Sequence, residues 1–579
     1  MAEAVKDETH RSSVAPVREG RAPPASSGLL RSGDLLATRA RWADGLARAA
    51  MVVGAAFRVE EFGSRRSLWV DEALVVNNVV SRDFRGLLRP LSGEQGAPIG
   101  WLWAQRADVI ALGNNEYALR VVPLLAGLCA LVLVHRVARR ALEPLAAAVA
   151  TWFVALSPSA VRYSVEVKQY SSDLAICLLL GLLALRVAEP ARNFDRRDVV
   201  IWATVGVIAV WCAHPAVLVL VATGGALGAE AVRRRDISAI RRLVAAAAAW
   251  GASFLLVWLT ALRRLGHDAF LRAYWAAGLA PRPFRAGSYG TWLGRALLHL
   301  MSDPAALSFA PLAGLLVLAG LVVATIRRPL PALMVLVPVG SAVAAATVAG
   351  FPLRGRLALW LLPIALLGLA SAVTAMLPVR LPGTAGTTGA VVAAVLAVAL
   401  VVGRPTLRVL SLARDPVVWS DLRPLLEAVH RQARPGDLVW VHEPDAASAQ
   451  YYAISTGVSP THVLRSSAPP APCPGDPDLT AVAARRRVWV VYGYRLSTAR
   501  RTERADIVTA LDRQARQLER ISRPEATAWL FDFGQPPVSP SPSTLAPSPS
   551  PLPCLRLTPA SPPVPTGLSR GPLGTGGPT

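Results

Sequence analysis

The chain has 579 residues, of which 53% are hydrophobic and 17% are charged, and its formal net charge is +23. A soluble protein of this length carries about 25% charged residues, so this composition excludes an ordinary soluble globular protein. Nearly all of the positive charge is arginine, since Lys6 and Lys168 are the only lysines, and most arginines lie in short segments beside apolar runs. Positive-inside anchoring explains this pattern better than nucleic-acid binding does, so we expect no nucleic-acid partner.

The N-terminal segment, residues 1–44, is polar and arginine-rich, and no apolar stretch follows Met1 directly. This pattern predicts a disordered cytoplasmic tail rather than a cleaved signal peptide. Apolar runs near the roughly 20 residues that span a bilayer recur from residue 45 to 405, which predicts an all-α polytopic membrane bundle of about eleven transmembrane helices. The predicted spans lie near residues 47–62, 119–137, 142–158, 171–189, 199–214, 215–232, 243–262, 308–326, 331–350, 357–377 and 388–405.

The charge of the loops predicts the orientation of these spans. The arginine-rich loops should face the cytoplasm. They lie at residues 136–140, 186–197, 233–242 and 327–328. The alternate loops then face outside, which predicts a multi-pass plasma-membrane protein with its polar motifs on the extracytoplasmic face. Residues 263–307 are an exception, because this segment contains six arginines and still falls outside in the count.

Two further regions are predicted to lie outside the membrane. In the outer loop 61–118, residues 99–112 have apolar side chains and two tryptophans at helical spacing, which favours an interfacial helix that roofs a cavity. Residues 406–534 are predicted to form a small extracytoplasmic α/β domain, and the Pro/Ser-rich residues 535–579 a disordered tail. In the domain we predict strands at 437–441 and 487–492 and helices at 422–432 and 507–521.

Five cysteines show no metal-ligand spacing. Cys473 and Cys554 could pair if the C-terminal region is outside the cytoplasm. No Walker A sequence, dinucleotide-binding glycine fingerprint or zinc motif is present, so ATP-driven transport and cytoplasmic nucleotide-sugar chemistry have no support.

The acidic pair Asp71-Glu72 follows the first predicted span, in the segment Ser67-Leu-Trp-Val-Asp-Glu-Ala73. Carboxylates beside a bilayer are costly unless they function or face water. The pair could serve as a general base or a metal ligand, and the neighbouring negative charge and low dielectric should raise the pKa of a base. The structural alternative is that Asp71 caps a helix that begins at Ala73.

A second polar cluster occupies residues 162–170. It brings Glu166, Lys168, Gln169, Tyr163 and Tyr170 to one short loop. A cation can neutralise a phosphate, tyrosine and glutamine can address hydroxyls, and a carboxylate can bind metal or acceptor, so the set suits a phosphate-linked sugar. The alternative is an interfacial loop with aromatic-belt tyrosines and a snorkelling lysine.

Three other residues are candidates for substrate binding. Arg354 and Arg356 stand just before the span at 357–377, where two guanidinium groups could hold a lipid phosphate or simply anchor to bulk headgroups. His214 stands at the outer end of a span and could be a ligand or proton carrier, although such a histidine is more often part of a turn.

These segments together resemble the C-type membrane glycosyltransferases. The resemblance depends on Trp-x-Asp-Glu-Ala in an early outer loop, the amphipathic segment after it, the Tyr-Ser-x-Glu-x-Lys-Gln-Tyr loop and the Phe-Pro-Leu-Arg-Gly-Arg-Leu segment. It covers about residues 45–405 and is greatest for the family-39-like branch, which includes protein O-mannosyltransferases and the aminoarabinose transferase of lipid A.

The resemblance implies a set of roles. Asp71 would be the catalytic carboxylate, Glu72 its partner and Glu166 the second acidic residue of the site. Lys168 and Arg356 would contact the donor phosphate, although many relatives have arginine in place of this lysine, and lysine lacks its bidentate geometry. Members differ in metal dependence, so a divalent ion at Asp71 and Glu166 is left open as a cofactor.

The implied function is transfer of a sugar from a polyprenyl-phosphate donor to a glycan, lipid or protein acceptor on the extracytoplasmic face. The mechanism would be an inverting displacement in which Asp71 takes or orients the proton of the acceptor hydroxyl. Two other classes stay open: a transporter or flippase of a lipid-linked or envelope substrate, and a non-catalytic envelope scaffold. Transporters usually place ionisable groups in mid-span, whereas the polar clusters here lie in loops.

Overall fold

The protein is described by a computed structural model that covers residues 27–192, 194–265, 268–376, 385–412, 418–467, 479–484, 486–493, 498–535 and 554–563. The helices before the C-terminal domain are α1 (Ser27–Gly63), α2 (Val70–Ser81), α3 (Ile99–Leu112), α4 (Glu116–Ala141), α5 (Pro144–Ala155), α6 (Pro158–Tyr163), α7 (Tyr170–Val187), α8 (Arg196–Cys212), α9 (Ala216–Arg233), α10 (Ile237–Val257), α11 (Arg263–Leu265), α12 (Ala269–Tyr274), α13 (Ala286–Ser302), α14 (Ala310–Arg327), α15 (Pro329–Ala344), α16 (Leu362–Met376) and α17 (Ala385–Leu412). Short π-helical turns extend α10 and α15, and a 3₁₀ turn at Gly355–Leu361 leads into α16.

Within the described ranges, seven helical segments are long and apolar enough to cross a membrane. They are Glu116–Ala141, Tyr170–Val187, Ala216–Arg233, Ile237–Leu265, Ala310–Arg327, Pro329–Ala349 and Gly355–Met376. Each coincides with a predicted span. The other four predicted spans fall on α1, α5, α8 and α17, of which α5 has only 12 residues and α8 has 17. The helical, multi-span character is therefore confirmed, and the count of about eleven spans stays a prediction.

Local sequence explains where several helices begin. The Asn115 side chain accepts hydrogen bonds from the backbone N–H groups of Tyr117 and Ala118 at 3.0 Å and so caps α4. Proline at the first position starts α5, where its missing N–H costs nothing. Small residues set how closely the helices pack: a Cβ on Gly320 of α14 would collide with the backbone of α16 at Gly368. Close backbone approach at glycine is typical of helices packed in membranes.

The loops gather at two ends of the bundle. At one end, Arg328 bonds to Glu143 and the carbonyl of Arg140, and Arg139 contacts Asp44. These residues belong to the N-terminal helix and to loops predicted to be cytoplasmic. The opposite end carries the acidic motif, the cluster at 162–170 and the C-terminal domain. The loops at 136–140 and 327–328 therefore share one end of the bundle, as predicted, and the side of the membrane that each end faces stays a prediction.

The C-terminal domain is a mixed six-stranded sheet with helices. Its strands are β1 (Leu438–His442), β2 (His462–Ser467), β3 (Arg487–Tyr492), β4 (Arg516–Arg523), β5 (Ala526–Asp532) and β6 (Cys554–Pro559). Its helices are α18 (Leu422–Gln432), α19 (Ala446–Thr456), α20 (Leu479–Ala483) and α21 (Thr498–Asp512). The strand order is β4-β5-β3-β1-β2-β6, with β1 parallel to β2 and β3 and the remaining pairs antiparallel.

One hydrophobic core joins this domain to the outer loop. Val76 of α2, Leu426 of α18, Tyr452 of α19 and Val441 of β1 all belong to it and are at most 1% exposed. The predicted helices at 99–112 and 422–432 and the strand at 487–492 are confirmed to the residue. The domain therefore covers the end of the bundle that carries the acidic motif.

Three predictions about chain ends and helices are wrong in part. Helix α1 begins at Ser27, so residues 27–44 are not disordered, because alanine, leucine and arginine favour helix and continue into an apolar run. The helix predicted at 507–521 ends at Asp512. The residues from Arg516 onwards form β4 instead, because they pair with β5 through backbone hydrogen bonds. In the predicted tail 535–579, Cys554–Pro559 pairs with β2 as β6.

Other predictions on the chain ends lie outside the described residues. These are the disorder of residues 1–26 and of most of 535–579, and the pairing of Cys473 with Cys554, since Cys473 is not among the described residues.

Candidate active site

The acidic pair lies in the first turn of α2. This helix begins at Val70, three residues before Ala73, where the sequence suggested a helix capped by Asp71. Its N-cap residue is Trp69. Glu72 accepts a hydrogen bond from the Trp69 backbone N–H at 3.4 Å, so it is Glu72 and not Asp71 that closes the helix end. Asp71 is thus free to point elsewhere, and the positive end of the helix dipole favours both carboxylates.

Asp71 lies between two cations that come from distant parts of the chain. Its Oδ1 is 3.1 Å from Nζ of Lys168, and its Oδ2 is 2.6 Å from Nη1 of Arg356. The Asp71 side chain is 14% exposed, so solvent reaches only a small part of it. Three segments singled out separately in the sequence therefore meet at one carboxylate.

These charges control the protonation of Asp71. Burial by itself would raise its pKa, but Lys168 and then Arg356 outweigh burial, and the pKa of Asp71 lies below its usual range. The expectation that neighbouring negative charge would raise this pKa is wrong, because the nearest charges are cations. Asp71 is an ionised carboxylate at neutral pH.

Glu72 faces away from this cluster. It accepts hydrogen bonds from Nη2 of Arg120 at 3.2 and 3.3 Å and from the backbone N–H of Val167 at 2.9 Å. The side chains of Glu72 and Arg120 are both 3% exposed. Glu72 thereby ties α2 to α4 and to the loop that carries Lys168, which is a positioning contact.

The loop at 164–169 presents Lys168 and Gln169 against the outer loop. Besides its ion pair, Lys168 donates to Oε1 of Gln95 at 2.7 Å, and Gln169 donates to the carbonyl of Gly96 at 3.4 Å. Burial lowers the pKa of Lys168 in spite of Asp71. Among the described residues, Oε1 of Gln169 has no hydrogen-bond partner, so an acceptor group is available there.

Glu166 lies behind the same loop. Its Oε2 is 3.0 Å from Nε of Arg162, while its buried Oε1 has no hydrogen-bond partner within the described ranges. Burial raises the pKa of Glu166 above its usual range despite the opposing charge of Arg162. Glu166 and Asp71 thus have pKa values shifted in opposite directions, an arrangement often found in active sites.

Aromatic rings line the cluster. Tyr163 and Tyr170 pack edge to face with their centroids 5.3 Å apart. The guanidinium of Arg356 lies 5.7 Å from the Tyr170 ring centroid and 5.6 Å from that of Trp275. The rings hold the guanidinium in place by cation–π contact.

The two predicted arginines separate. Arg356 faces Asp71, whereas Arg354 lines a neighbouring cavity of about 1270 Å³. Gly355 between them has a φ of 54°, a conformation that glycine adopts without strain and that allows the chain to turn here.

His214 lies in the turn between α8 and α9. Burial lowers the pKa of His214 to about 4, so the ring is neutral at physiological pH. No contact between this ring and the Asp71 cluster is recorded in the part of the chain that the structure describes. The geometry favours a turn residue.

The residues do not form a site for a divalent ion as they are arranged. Over the described ranges, no group of three or more His, Cys, Asp or Glu side chains could hold a metal. Asp71 and Glu166, the ligands considered from the sequence, instead face Lys168, Arg356 and Arg162.

Sequence reasoning missed Arg120, Gln95 and Trp275. Arg120 had a signal, since an arginine at the start of an apolar span requires a partner. Gln95 and Trp275 had none, because their contacts with Lys168 and Arg356 depend on how distant segments pack.

No protein-family model matches the sequence, and no curated protein matches it either. Among solved structures, the chain is similar to ArnT from Cupriavidus metallidurans in the apo state, with 14% identity, a TM-score of 0.45 and coverage of 86% of this chain and 99% of that chain. The same protein bound to undecaprenyl phosphate gives 14% identity and a TM-score of 0.45 over 84% and 98%. The apo oligosaccharyltransferase of Archaeoglobus fulgidus gives 10% identity and a TM-score of 0.43 over 73% and 69%.

Proposed function

We propose that the protein is an integral membrane glycosyltransferase that moves a sugar from a polyprenyl-phosphate donor to an acceptor on the extracytoplasmic face. The observation that carries this proposal is the meeting of Asp71 with Lys168 and Arg356. An ionised carboxylate that can accept a proton stands beside two cations that can bind a phosphate, at the loop end of an apolar bundle.

The proposed reaction is an inverting displacement. The acceptor hydroxyl attacks the anomeric carbon, its proton passes to Asp71, and the bond between that carbon and the phosphate oxygen breaks. The donor carries one negative charge on its phosphodiester, and the departing polyprenyl phosphate carries a second. Negative charge therefore moves from Asp71 to the leaving phosphate during transfer.

Lys168 and Arg356 suit this movement of charge. In the structure they neutralise Asp71, and as that carboxylate takes up a proton they become available to the leaving phosphate. A phosphate that draws either cation away also removes what lowers the pKa of Asp71, which makes it a stronger base when the donor is bound.

The unpartnered acceptors fit a sugar. Oε1 of Glu166 and Oε1 of Gln169 are buried beside this cluster without hydrogen-bond partners in the described residues. Sugar hydroxyls can donate hydrogen bonds to both oxygens, which would offset the free-energy cost of burying these acceptors without partners. These residues are therefore proposed to orient the donor sugar.

The test is the glycan composition of the cell envelope, measured by mass spectrometry in a deletion strain that is complemented at equal expression. Wild type should restore a missing glycosyl unit and Asp71→Asn should not. Glu94→Gln is the matched control, because Glu94 is an exposed acid of the same outer loop. Restoration by Asp71→Asn would refute a catalytic Asp71 and favour the transporter or scaffold.

A further inference from the structure

A large cavity lies beside the Asp71 cluster. It is bounded by α13, by the segment before that helix and by the end of α15, and its volume is about 1270 Å³. Pockets for small molecules usually measure about 300–1,000 Å³. The space is therefore large enough for a substantial headgroup or part of a glycan.

The charged lining of this cavity is entirely basic. Arg272, Arg282, Arg295 and Arg354 contribute to it, together with His299. None of the described residues that line it is acidic. Guanidinium groups bind phosphates bidentately, and several around one space favour a ligand with more than one negative charge.

Three of these arginines, Arg282, Arg295 and Arg354, have no counter-charge among the residues that the structure describes. Arg282 donates to the carbonyl of Thr347 at 3.2 Å, which is a neutral partner. For Arg282, Arg295 and Arg354 no ion pair with another described residue is recorded. Like charges that share a cavity repel one another, so an anionic ligand would lower the free energy of this arrangement.

The cavity also explains why residues 263–307 are rich in arginine although they are predicted to lie outside. Three of the six arginines in residues 263–307 line it, namely Arg272, Arg282 and Arg295. Arginine on the outer side opposes the positive-inside pattern and calls for another explanation. Binding of an anion explains why the excess occurs in this one outer segment.

The cavity is next to the reacting carboxylate. Arg354 lines the cavity and Arg356 forms an ion pair with Asp71. The two arginines are two residues apart, so their Cα atoms are separated by at most about 7 Å. The Leu353 backbone N–H donates to the carbonyl of Gly278 at 2.8 Å, which fixes this segment to the cavity wall. The arginine-lined cavity and the Asp71 cluster are therefore neighbours on either side of this segment.

We propose that this arginine-lined cavity binds a phosphate-bearing acceptor and holds its reactive hydroxyl at Asp71. The proposal rests on the proposed transferase function. It assigns the acceptor rather than the donor to the cavity because the cations proposed for the donor phosphate, Lys168 and Arg356, lie on the Asp71 side.

The experiment measures binding of inorganic pyrophosphate to the full-length protein in phosphatidylcholine nanodiscs. The cavity variant is Arg272→Gln/Arg282→Gln/Arg295→Gln. The matched control replaces the other three arginines of the segment, as Arg263→Gln/Arg264→Gln/Arg285→Gln, and removes the same charge. We expect at least tenfold weaker binding by the cavity variant and a change within about twofold in the control.

Equally weakened pyrophosphate binding in both variants would overturn the proposal, because binding would then depend on the total charge and not on the cavity. Unchanged binding in both variants would also overturn it, because the cavity would then not be the binding site. If the glutamine variant does not fold, the lysine variant at the same three positions keeps the charge and loses the bidentate geometry. It should bind pyrophosphate severalfold more weakly than wild type.

A second arm separates acceptor from donor. Farnesyl phosphate serves as the probe of the donor phosphate, and the cavity variant should bind it as wild type does. Tenfold weaker binding would place the donor in the cavity and overturn the assignment. Addition of phosphatidic acid to the nanodiscs shows whether the phosphate belongs to a lipid or to a soluble glycan. If the cavity binds a lipid phosphate, phosphatidic acid should compete with pyrophosphate. If it binds a soluble phosphoglycan, no competition is expected.

The two proposals can fail separately. If Asp71→Asn restores the envelope glycan, the transferase function fails, whatever the cavity binds. If the transferase function holds and pyrophosphate binding does not depend on the cavity arginines, only the acceptor assignment fails.

Discussion

At the scale of single residues, Asp71 is defined by its charged neighbours. The carboxylate has Lys168 on one oxygen and Arg356 on the other, and both cations are themselves largely buried. Removing either cation therefore raises the pKa of Asp71 and also removes a proposed phosphate contact.

The pH dependence of activity tests this coupling. The pKa of Asp71 is lowered, so its ionised form persists on the acid side to below its usual value of about 3.9. Burial raises the pKa of Asp71 and Lys168 lowers it, so the pKa should rise in Lys168→Met. The acid limb of the pH–rate profile should then move to higher pH. Lys168→Arg keeps the charge and should leave the limb near its wild-type position. An unmoved limb in Lys168→Met would contradict the proposed coupling.

Glu72 is predicted to matter for stability. In Glu72→Gln the buried Arg120 loses its counter-charge, and breaking one side of a buried pair costs about 3–5 kcal/mol. We expect a clear fall in melting temperature in detergent. The control is Glu143→Gln, whose pair with Arg328 is 3.7 Å apart and about half exposed and should contribute less than about 1 kcal/mol. Equal effects of the two variants would refute a positioning role for Glu72.

At the scale of secondary-structure elements, α19 of the C-terminal domain supports the segment that leads into α2. Tyr452 accepts a hydrogen bond from the Leu68 backbone N–H at 2.7 Å and donates to Glu116 at 3.1 Å. Trp419 stacks on Trp69 with the ring centroids 5.4 Å apart. The domain therefore holds the backbone immediately before Asp71.

Tyr452→Phe should loosen this segment. It leaves the buried N–H of Leu68 without a partner, at a cost of about 1–3 kcal/mol. Hydrogen exchange of residues 65–72 should become faster. Tyr451→Phe is the control, since its hydroxyl donates to the Asn114 side chain and not to this segment. Unchanged exchange in Tyr452→Phe would show that the domain does not hold the acidic motif.

At the scale of the whole molecule, the polar site, the arginine-lined cavity and the C-terminal domain lie at one end of the bundle. The arginine-rich loops predicted to be cytoplasmic lie at the other end. If the proposed function holds, a lipid-linked donor would approach from the bilayer and its headgroup would enter the site under the domain. This arrangement explains why such chemistry would be built on a membrane bundle.

The orientation can be measured by labelling introduced cysteines in a cysteine-free background with a membrane-impermeant thiol reagent on intact spheroplasts. Arg434→Cys, on the exposed loop after α18, should be labelled. Arg235→Cys, in the loop between α9 and α10, should be labelled only after permeabilisation. The reverse pattern would place the site on the cytoplasmic face and refute the proposed topology.

The sequence by itself predicted the positions of seven apolar helices and of several elements outside them. Apolar runs predicted the spans, and helical and strand spacing predicted α3, α18 and β3, because these patterns depend on each segment's own burial. Loop charge predicted that the loops at 136–140 and 327–328 share an end of the bundle, but it did not explain the six arginines of residues 263–307, which lie at the other end. The motif segments pointed to Asp71, Lys168 and Arg356 before any geometry was considered.

Only the tertiary structure decided how these residues are paired. That Asp71 contacts both cations, that Glu72 contacts Arg120 instead, and that Arg354 faces a separate cavity all depend on contacts between residues far apart in the chain. The direction of the Asp71 pKa shift was wrong from the sequence for the same reason. A sequence shows which charges are neighbours along the chain, whereas pKa values and binding depend on which charges are neighbours in space.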